Sequence, residues 1–169
     1  MKYRIIENFL PDEKFKKIAD HIYTPSFGWG YNECVAFEDP NKDDNFYFTH
    51  ELYNWGAPKC GFFDDVFFPI EGLLRQKADI DIKAIVRIKC NLYTRTEKIV
   101  QHDMHKDYDY SHTACILGIN DCDGFTIFEN GDKIESKANR MLIFDGLDKH
   151  CSTTCTDKKA RININFNFL

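Results

Sequence analysis

The closing stretch ARININFNFL, residues 160–169, alternates polar and apolar residues almost without a break. Successive side chains of a strand point to opposite sides. Arg161, Asn163, Asn165 and Asn167 therefore share one face, and Ile162, Ile164, Phe166 and Phe168 share the other. The apolar face asks for a core. The amide face asks for either solvent or a polar cavity, and the guanidinium at its head favours the cavity.

Working back along the chain, the same texture reaches residue 81. IKAIVRIKCNLY, HTACILGIN, GFTIFEN, NRMLIFDG and KHCSTTC read as short strands. Turn signals separate them at Asn120-Asp121, Asp123-Gly124, Asn130-Gly131-Asp132 and Asp145-Gly146, and Asn130-Gly131 is a strong hairpin signal. Many short strands joined this way predict a mainly β domain, a sandwich or jelly roll.

The first 80 residues read differently. A strand is expected over 2–7 and a helix over 11–23, with Pro11 at its start, Asp12 and Glu13 in its first turn, and Phe15, Ile18, Ala19 and Ile22 at helical spacing. A strand is expected within 27–37, an acidic loop over 38–45 and a strand over 46–49. A second helix is expected over 64–77, with Pro69 kinking it or delaying its start. The expectation is one domain over 1–169, with 1–80 as support and mouth loops and 81–169 as the core.

With 43% hydrophobic residues and 169 positions, the chain is long enough for a substantial core. A formal charge of −5 argues against broad binding of nucleic acid or anionic membrane. No stretch approaches the roughly 18 apolar residues of a membrane span, and the first residues do not read as a signal peptide, so a cytoplasmic location is expected. The seven cysteines are scattered and odd in number, which fits free thiols better than a disulfide framework or a zinc site at Cys151 and Cys155.

Among six histidines only His105 has an aspartate two residues later, Asp107. On a strand the two would point to one side, and His150 can close the triangle. Two imidazoles and one carboxylate with open positions suit a non-haem Fe(II) oxygenase. Arg161, eleven residues past His150, sits where a cation would hold the far carboxylate of an acidic co-substrate. His102, three residues before His105, gives a weak alternative ligand pair. His112, which opens a strand, reads as structural or supporting.

From Lys89 to Leu169 the chain resembles the Fe(II)/2-oxoglutarate-dependent dioxygenases, in their prolyl 4-hydroxylase-like branch. The resemblance rests on CNLYTRT, HKD, HTACILGIND, DGFTIFENGDKI, NRMLIFDGLDKH and ARININF, and on the opening YRIIENFLPDEKFKKIADHI. Residues 24–80 match no part of the pattern. The resemblance implies a double-stranded β-helix, a cupin-like jelly roll with flanking helices. It also implies Fe(II) on His105, Asp107 and His150, with 2-oxoglutarate and O2 as co-substrates and ascorbate as an auxiliary reductant. In such enzymes decarboxylation to succinate and CO2 is coupled to substrate hydroxylation. By the same resemblance Arg161 anchors the distal carboxylate, Tyr93 donates a hydrogen bond to it, Thr126 lies near it, and Asn91 and Asn163 line the site. Compact stand-alone relatives of this kind are bacterial or phage-encoded.

Three departures stand out. Phe125 replaces a small or acidic residue. Arg161 stands where animal prolyl hydroxylases usually have lysine. Asn167 stands where the nucleic-acid-demethylating branch has a second arginine, which disfavours repair of alkylated bases. Substrate choice is expected to lie in mouth loops over 28–62 and 95–104, the first carrying Trp29, Tyr31, Phe37, Phe46, Tyr47, Phe48, Tyr53 and Trp55. The leading expectation is a peptidyl or free amino acid, proline above others. A nucleotide, sugar or other small metabolite is the alternative, and a non-catalytic binding module is the reading of another class.

Overall fold

The computed structural model describes residues 3–35 and 46–169. In chain order these form β1 (Arg4–Ile6), α1 (Asp12–Ile22), β2 (Gly30–Asn32), β3 (Tyr47–Asn54), β4 (Ala57–Pro58), α2 (Phe63–Ala78) and β5 (Ile85–Thr94). β6 (Thr113–Gly118), β7 (Cys122–Phe128), β8 (Lys133–Ser136), β9 (Met141–Asp145), β10 (His150–Ser152) and β11 (Ala160–Phe168) follow. The large sheet has the order β1-β9-β6-β11-β5-β3-β2, with β4 added beside β3. A small sheet, β10-β7-β8, completes the jelly roll. All the strand pairs are antiparallel.

The alternation of β11 decides how the large sheet is used. Ile162, Ile164, Phe166 and Phe168 are buried with Ile88 and Cys90 of β5, Cys115 and Leu117 of β6, and the inner faces of both helices. From α1 come Ile18, Ala19 and Ile22, and from α2 Val66, Ile70 and Leu74. Each such aliphatic or aromatic side chain contributes about 1.5–3 kcal/mol by leaving water. A smaller cluster, with Phe128, Ile134, Leu142 and Phe144, lies between the two sheets. The amide face of β11 looks into this same space, and Arg161, Asn163, Asn165 and Asn167 are all buried.

Buried Asn139 ties down the N-terminal segment. Its side chain accepts from the Leu10 amide and donates to the Leu10 carbonyl, both at 2.8 Å. Asn130-Gly131 makes the expected hairpin turn between β7 and β8, with Gly131 at φ 90°, where a side chain would be strained.

Several expectations change. Residues 47–54 are not a mouth loop: β3 pairs with β5 and belongs to the large sheet. The strand placed within 27–37 is only Gly30–Asn32, and Phe37 and the acidic loop 38–45 lie outside the described residues. α2 starts at Phe63 and continues across Pro69, so the proline does not delay it. The proline removes the amide that Asp65 would receive, but Asp65 is exposed, so water can serve that carbonyl. His105 and Asp107 are not on a regular strand. They lie in an irregular segment held by single bridges, one of them His105 with His150. Among the described residues no disulfide joins the cysteines, and no helix is long and apolar enough to cross a membrane.

Candidate metal centre and co-substrate pocket

β5 and β11 are paired so that their polar rows stand side by side. Arg161 is opposite Tyr93, Asn163 opposite Asn91, Asn165 opposite Lys89 and Asn167 opposite Arg87. These side chains form the floor between the sheets, and β7 and β10 of the small sheet form the wall facing them. Arg161, Tyr93, Thr126, Asn91 and Asn163 line one narrow cavity together with His105, Asp107 and His150. The structure thus brings together all eight residues singled out from the sequence.

His105 and His150 exchange both backbone hydrogen bonds, at 2.9 and 3.0 Å, so their side chains start from facing positions. The ligand atoms of His105, Asp107 and His150 lie within 4.8 Å of one another. Nδ1 of His105 meets the Asp103 carbonyl at 3.0 Å, and Nδ1 of His150 meets the Asp148 carbonyl at 3.1 Å. A carbonyl only accepts, so each Nδ1 carries the proton and each Nε2 keeps its lone pair for a metal. Burial pulls the His150 pKa down against the opposing charge of Asp107, which favours the neutral ring a metal requires.

Asp107 is held from two sides. Arg87 donates to its Oδ1 at 2.9 Å and Asn165 donates to its Oδ2 at 3.1 Å. Asn167 in turn donates to Asn165 at 2.8 Å, so the amide row of β11 is a rail leading to the carboxylate. Burial alone would raise the Asp107 pKa, but Arg87, His150, Lys89 and His105 together hold it well below the usual carboxylate range. The donor set is therefore two imidazoles, each with Nδ1 turned to a carbonyl, and one carboxylate anion, the set that suits Fe(II).

At the far end lies Arg161, 2% exposed. It donates to the Thr126 hydroxyl at 2.9 Å and to the Thr153 carbonyl at 3.2 Å, and its guanidinium sits over the Tyr93 ring. Its Nε has no partner, and among the described residues no carboxylate pairs with it. Gly124 makes room for it: an added Cβ would stand 2.8 Å from Arg161 Cδ and 2.7 Å from the Thr154 carbonyl oxygen. Burial raises the Tyr93 pKa, opposed by the charge of Arg161 and a hydrogen bond with Ser152.

His102 stands behind this end as a support. Its Nδ1 meets the Ser152 hydroxyl at 2.8 Å and its ring lies against Tyr93. Burial, then Arg161, pushes its pKa down to about 4. It is not in the triad. His112 is buried against Gly146, where a Cβ would come within 2.1 Å of its ring. His21 stacks on Phe62, and His50 packs at a tilt against Phe27.

Arg87, Lys89, Tyr47, Asn165 and Ser152 were not singled out from the sequence for these positions. A usable signal existed for two of them: Arg87 and Lys89 share the β5 alternation with Asn91 and Tyr93. Lys89 faces the metal end, donating to the Tyr47 hydroxyl at 3.2 Å. Burial, then Arg87, pushes its pKa down to about 8, with Asp107 and Glu51 opposing.

No protein-family model and no curated protein matches the chain in sequence. Solved structures share its fold. A prolyl 4-hydroxylase from Pseudomonas putida superposes with a TM-score of 0.64 at 11% identity, over 98% of this chain and 91% of that one. An oxidoreductase of the 2OG-Fe(II) oxygenase family from Burkholderia pseudomallei gives 0.75 at 7%, over 98% and 84%. HygX from Streptomyces hygroscopicus, solved with nickel and 2-oxoglutarate bound, gives 0.65 at 8%, over 98% and 82%. The chain thus has the jelly-roll fold of the 2OG-Fe(II) oxygenases, prolyl hydroxylases among them.

Proposed function

We propose that this protein is an Fe(II)- and 2-oxoglutarate-dependent hydroxylase acting on an amino acid, peptidyl or free. The observation that carries this reading is Arg161. A buried guanidinium without an anion is costly, and this one shares a cavity with a His-Asp-His ligand set. A molecule with a ligand group at one end and a carboxylate at the other answers both needs, and 2-oxoglutarate is such a molecule. Nickel and 2-oxoglutarate in HygX support the pairing. A non-catalytic module has no use for both features.

In this reading His105, Asp107 and His150 hold the iron, which with 2-oxoglutarate and O2 supplies the oxidising chemistry and leaves succinate and CO2. Arg161 binds the distal carboxylate, and a guanidinium does so through paired charge-assisted hydrogen bonds. Thr126 and the Thr153 carbonyl fix the guanidinium plane. Tyr93 offers its hydroxyl to the same carboxylate, and Asn91, whose Oδ1 is buried without a partner, lines the path with Asn163. Ile116 and Val35 in the lining limit access of water. Ascorbate enters only as an external reductant.

The amino-acid substrate class draws support from the prolyl hydroxylases among the fold relatives, one of them from Trichoplax adhaerens solved with a hypoxia-inducible-factor peptide (TM-score 0.67, 15% identity). A second reading, oxidation of another small metabolite, draws support from the epimerase SnoN, solved with Fe3+, α-ketoglutarate and nogalamycin RO (TM-score 0.66, 10% identity). Titrating 2-oxoglutarate into Mn(II)-loaded protein tests the common core of both readings. Arg161→Ala is expected to weaken its binding about 30- to 1000-fold, the loss of a shielded charge-assisted contact. Binding within about threefold of wild type, well short of that range, removes the co-substrate assignment.

A further inference from the structure

A cleft of about 300 Å3 opens beside the metal triad, lined by Tyr47, Glu51, Arg87 and Lys89 together with His105 and Asp107. Lys89 and Tyr47 also border the narrow cavity that holds Arg161, so both stand at the junction of the metal centre and the cleft. The cations of this cleft are not equivalent. Arg87 is committed to Asp107, and Lys106 is exposed. Lys89 has a single hydrogen bond among the described residues, to the Tyr47 hydroxyl. Its neighbour across the sheet, Glu51, accepts instead from Asn54 at 2.8 Å.

The direction of the Lys89–Tyr47 bond matters. An ammonium only donates, so the Tyr47 oxygen is the acceptor and its own proton is free to be given elsewhere. Tyr47 is buried and stacked on Tyr93 at 5.7 Å, which fixes the phenol in place. The junction therefore offers the remaining N–H groups of an ammonium and one phenolic O–H, while the carboxylates that share the cleft are bonded elsewhere, Asp107 to Arg87 and Asn165 and Glu51 to Asn54. Lys89 is half-buried and bonded to Tyr47, so its other N–H groups and the phenolic O–H stay available to a ligand in the cleft. A carboxylate, with two oxygens and one negative charge, satisfies both at once.

We propose that Lys89 and Tyr47 bind a free carboxylate of the substrate, so that the protein oxidises a small carboxylic acid and not a proline or other uncharged residue inside a peptide chain. The inference rests on the proposed oxygenase reading and narrows its substrate class. The cleft volume suits it, lying at the lower end of small-molecule sites. An internal proline, or any other uncharged peptide residue, has no carboxylate to present at this depth.

The test uses protein loaded with Mn(II) and 2-oxoglutarate without O2, and calorimetric titration of matched acids and amides. N-acetyl-L-proline against N-acetyl-L-prolinamide is one pair, and the panel extends to acetylated acidic, aliphatic and aromatic amino acids with their amides. At least one acid is expected to bind tenfold or more tighter than its amide. Lys89→Met is expected to abolish that preference, Tyr47→Phe to reduce it, and Lys89→Arg, which keeps the charge, to retain much of it. Thermal unfolding of each variant, and its uptake of Mn(II), confirm that the fold survives. A panel with no acid preference overturns the proposal, as does a preference that survives in Lys89→Met. A tenfold loss of 2-oxoglutarate affinity in Lys89→Met also overturns it, because the lysine then serves the co-substrate. Failure of the wild-type protein to take up 2-oxoglutarate shows at the loading step, and so separates failure of the oxygenase reading from failure of this one.

Discussion

Arg87 and Asp107 lie twenty residues apart in the chain and meet as a partly buried ion pair at 2.9 Å, beside the two imidazoles that complete the triad. The guanidinium, itself over the Tyr108 ring, fixes which way the carboxylate turns. Groups that orient a ligand in this way typically matter 10–100-fold to metal affinity. Arg87→Gln is expected to weaken Mn(II) binding by about that factor, read by electron paramagnetic resonance titration. An unchanged affinity assigns Arg87 to charge balance alone.

The triad itself is tested by single alanine substitutions at His105, Asp107 and His150, each of which is expected to abolish tight Mn(II) binding. His102→Gln is expected to retain it, because His102 is turned to Ser152 and Tyr93. Mn(II), Co(II) and Ni(II) are expected to substitute for Fe(II) in crystals, with ligand distances of about 2.0–2.3 Å. A metal bound through His102 in place of His105 contradicts the assignment.

Gly124 bears on the Arg161 end of the cavity. A methyl group there meets Arg161 Cδ and the Thr154 carbonyl, and backbone cannot yield cheaply. Gly124→Ala is expected to cost about 1–3 kcal/mol of stability by overpacking and to weaken 2-oxoglutarate binding more than Mn(II) binding. Denaturant melts and the two titrations read these separately. Equal losses of both ligands point to general unfolding and not to displacement of Arg161.

At the same end, Arg161→Lys is expected to bind 2-oxoglutarate more tightly than Arg161→Ala but less tightly than wild type. The lysine keeps the charge and loses the fork that matches a carboxylate. Calorimetry on the Mn(II)-loaded variants gives the order directly. A lysine variant no better than alanine shows that geometry, and not charge, decides the contact.

His102 makes stability depend on pH. Its pKa falls from 6.5 to about 4 on folding, so between these values the unfolded chain binds more protons than the folded one. Its contribution is complete above the unfolded value and is lost as pH falls through this window, by about 3 kcal/mol. Buried His150 acts in the same direction. His102→Gln is expected to flatten the decline of urea-derived stability between pH 6.5 and 4.5 relative to wild type. An identical slope in the two proteins shows that His102 charges freely in the fold.

The alternation of residues 160–169 by itself determined which side of β11 is core and which is polar, because side-chain direction in a strand is a property of the local backbone. The same local rule, applied to residues 85–94, already separates Arg87, Lys89, Asn91 and Tyr93 from Ile88, Cys90 and Leu92. The His-x-Asp spacing, the later histidine and the arginine were legible because ligand chemistry restricts residue types. Register was not legible. That Arg161 stands by Tyr93 and Asn165 by Lys89 depends on pairing between segments some seventy residues apart, and a slip of one residue would turn every side chain to the other face. Tyr47 reaches the junction only because β3 adds to the edge of β5, and Arg87 finds Asp107 only because an irregular segment folds back over the sheet. Sequence periodicity carries the direction of each side chain. The partners it meets are decided by packing between distant segments, and this is why the candidate ligands could be picked out of the chain while the contacts of the groups around them could not.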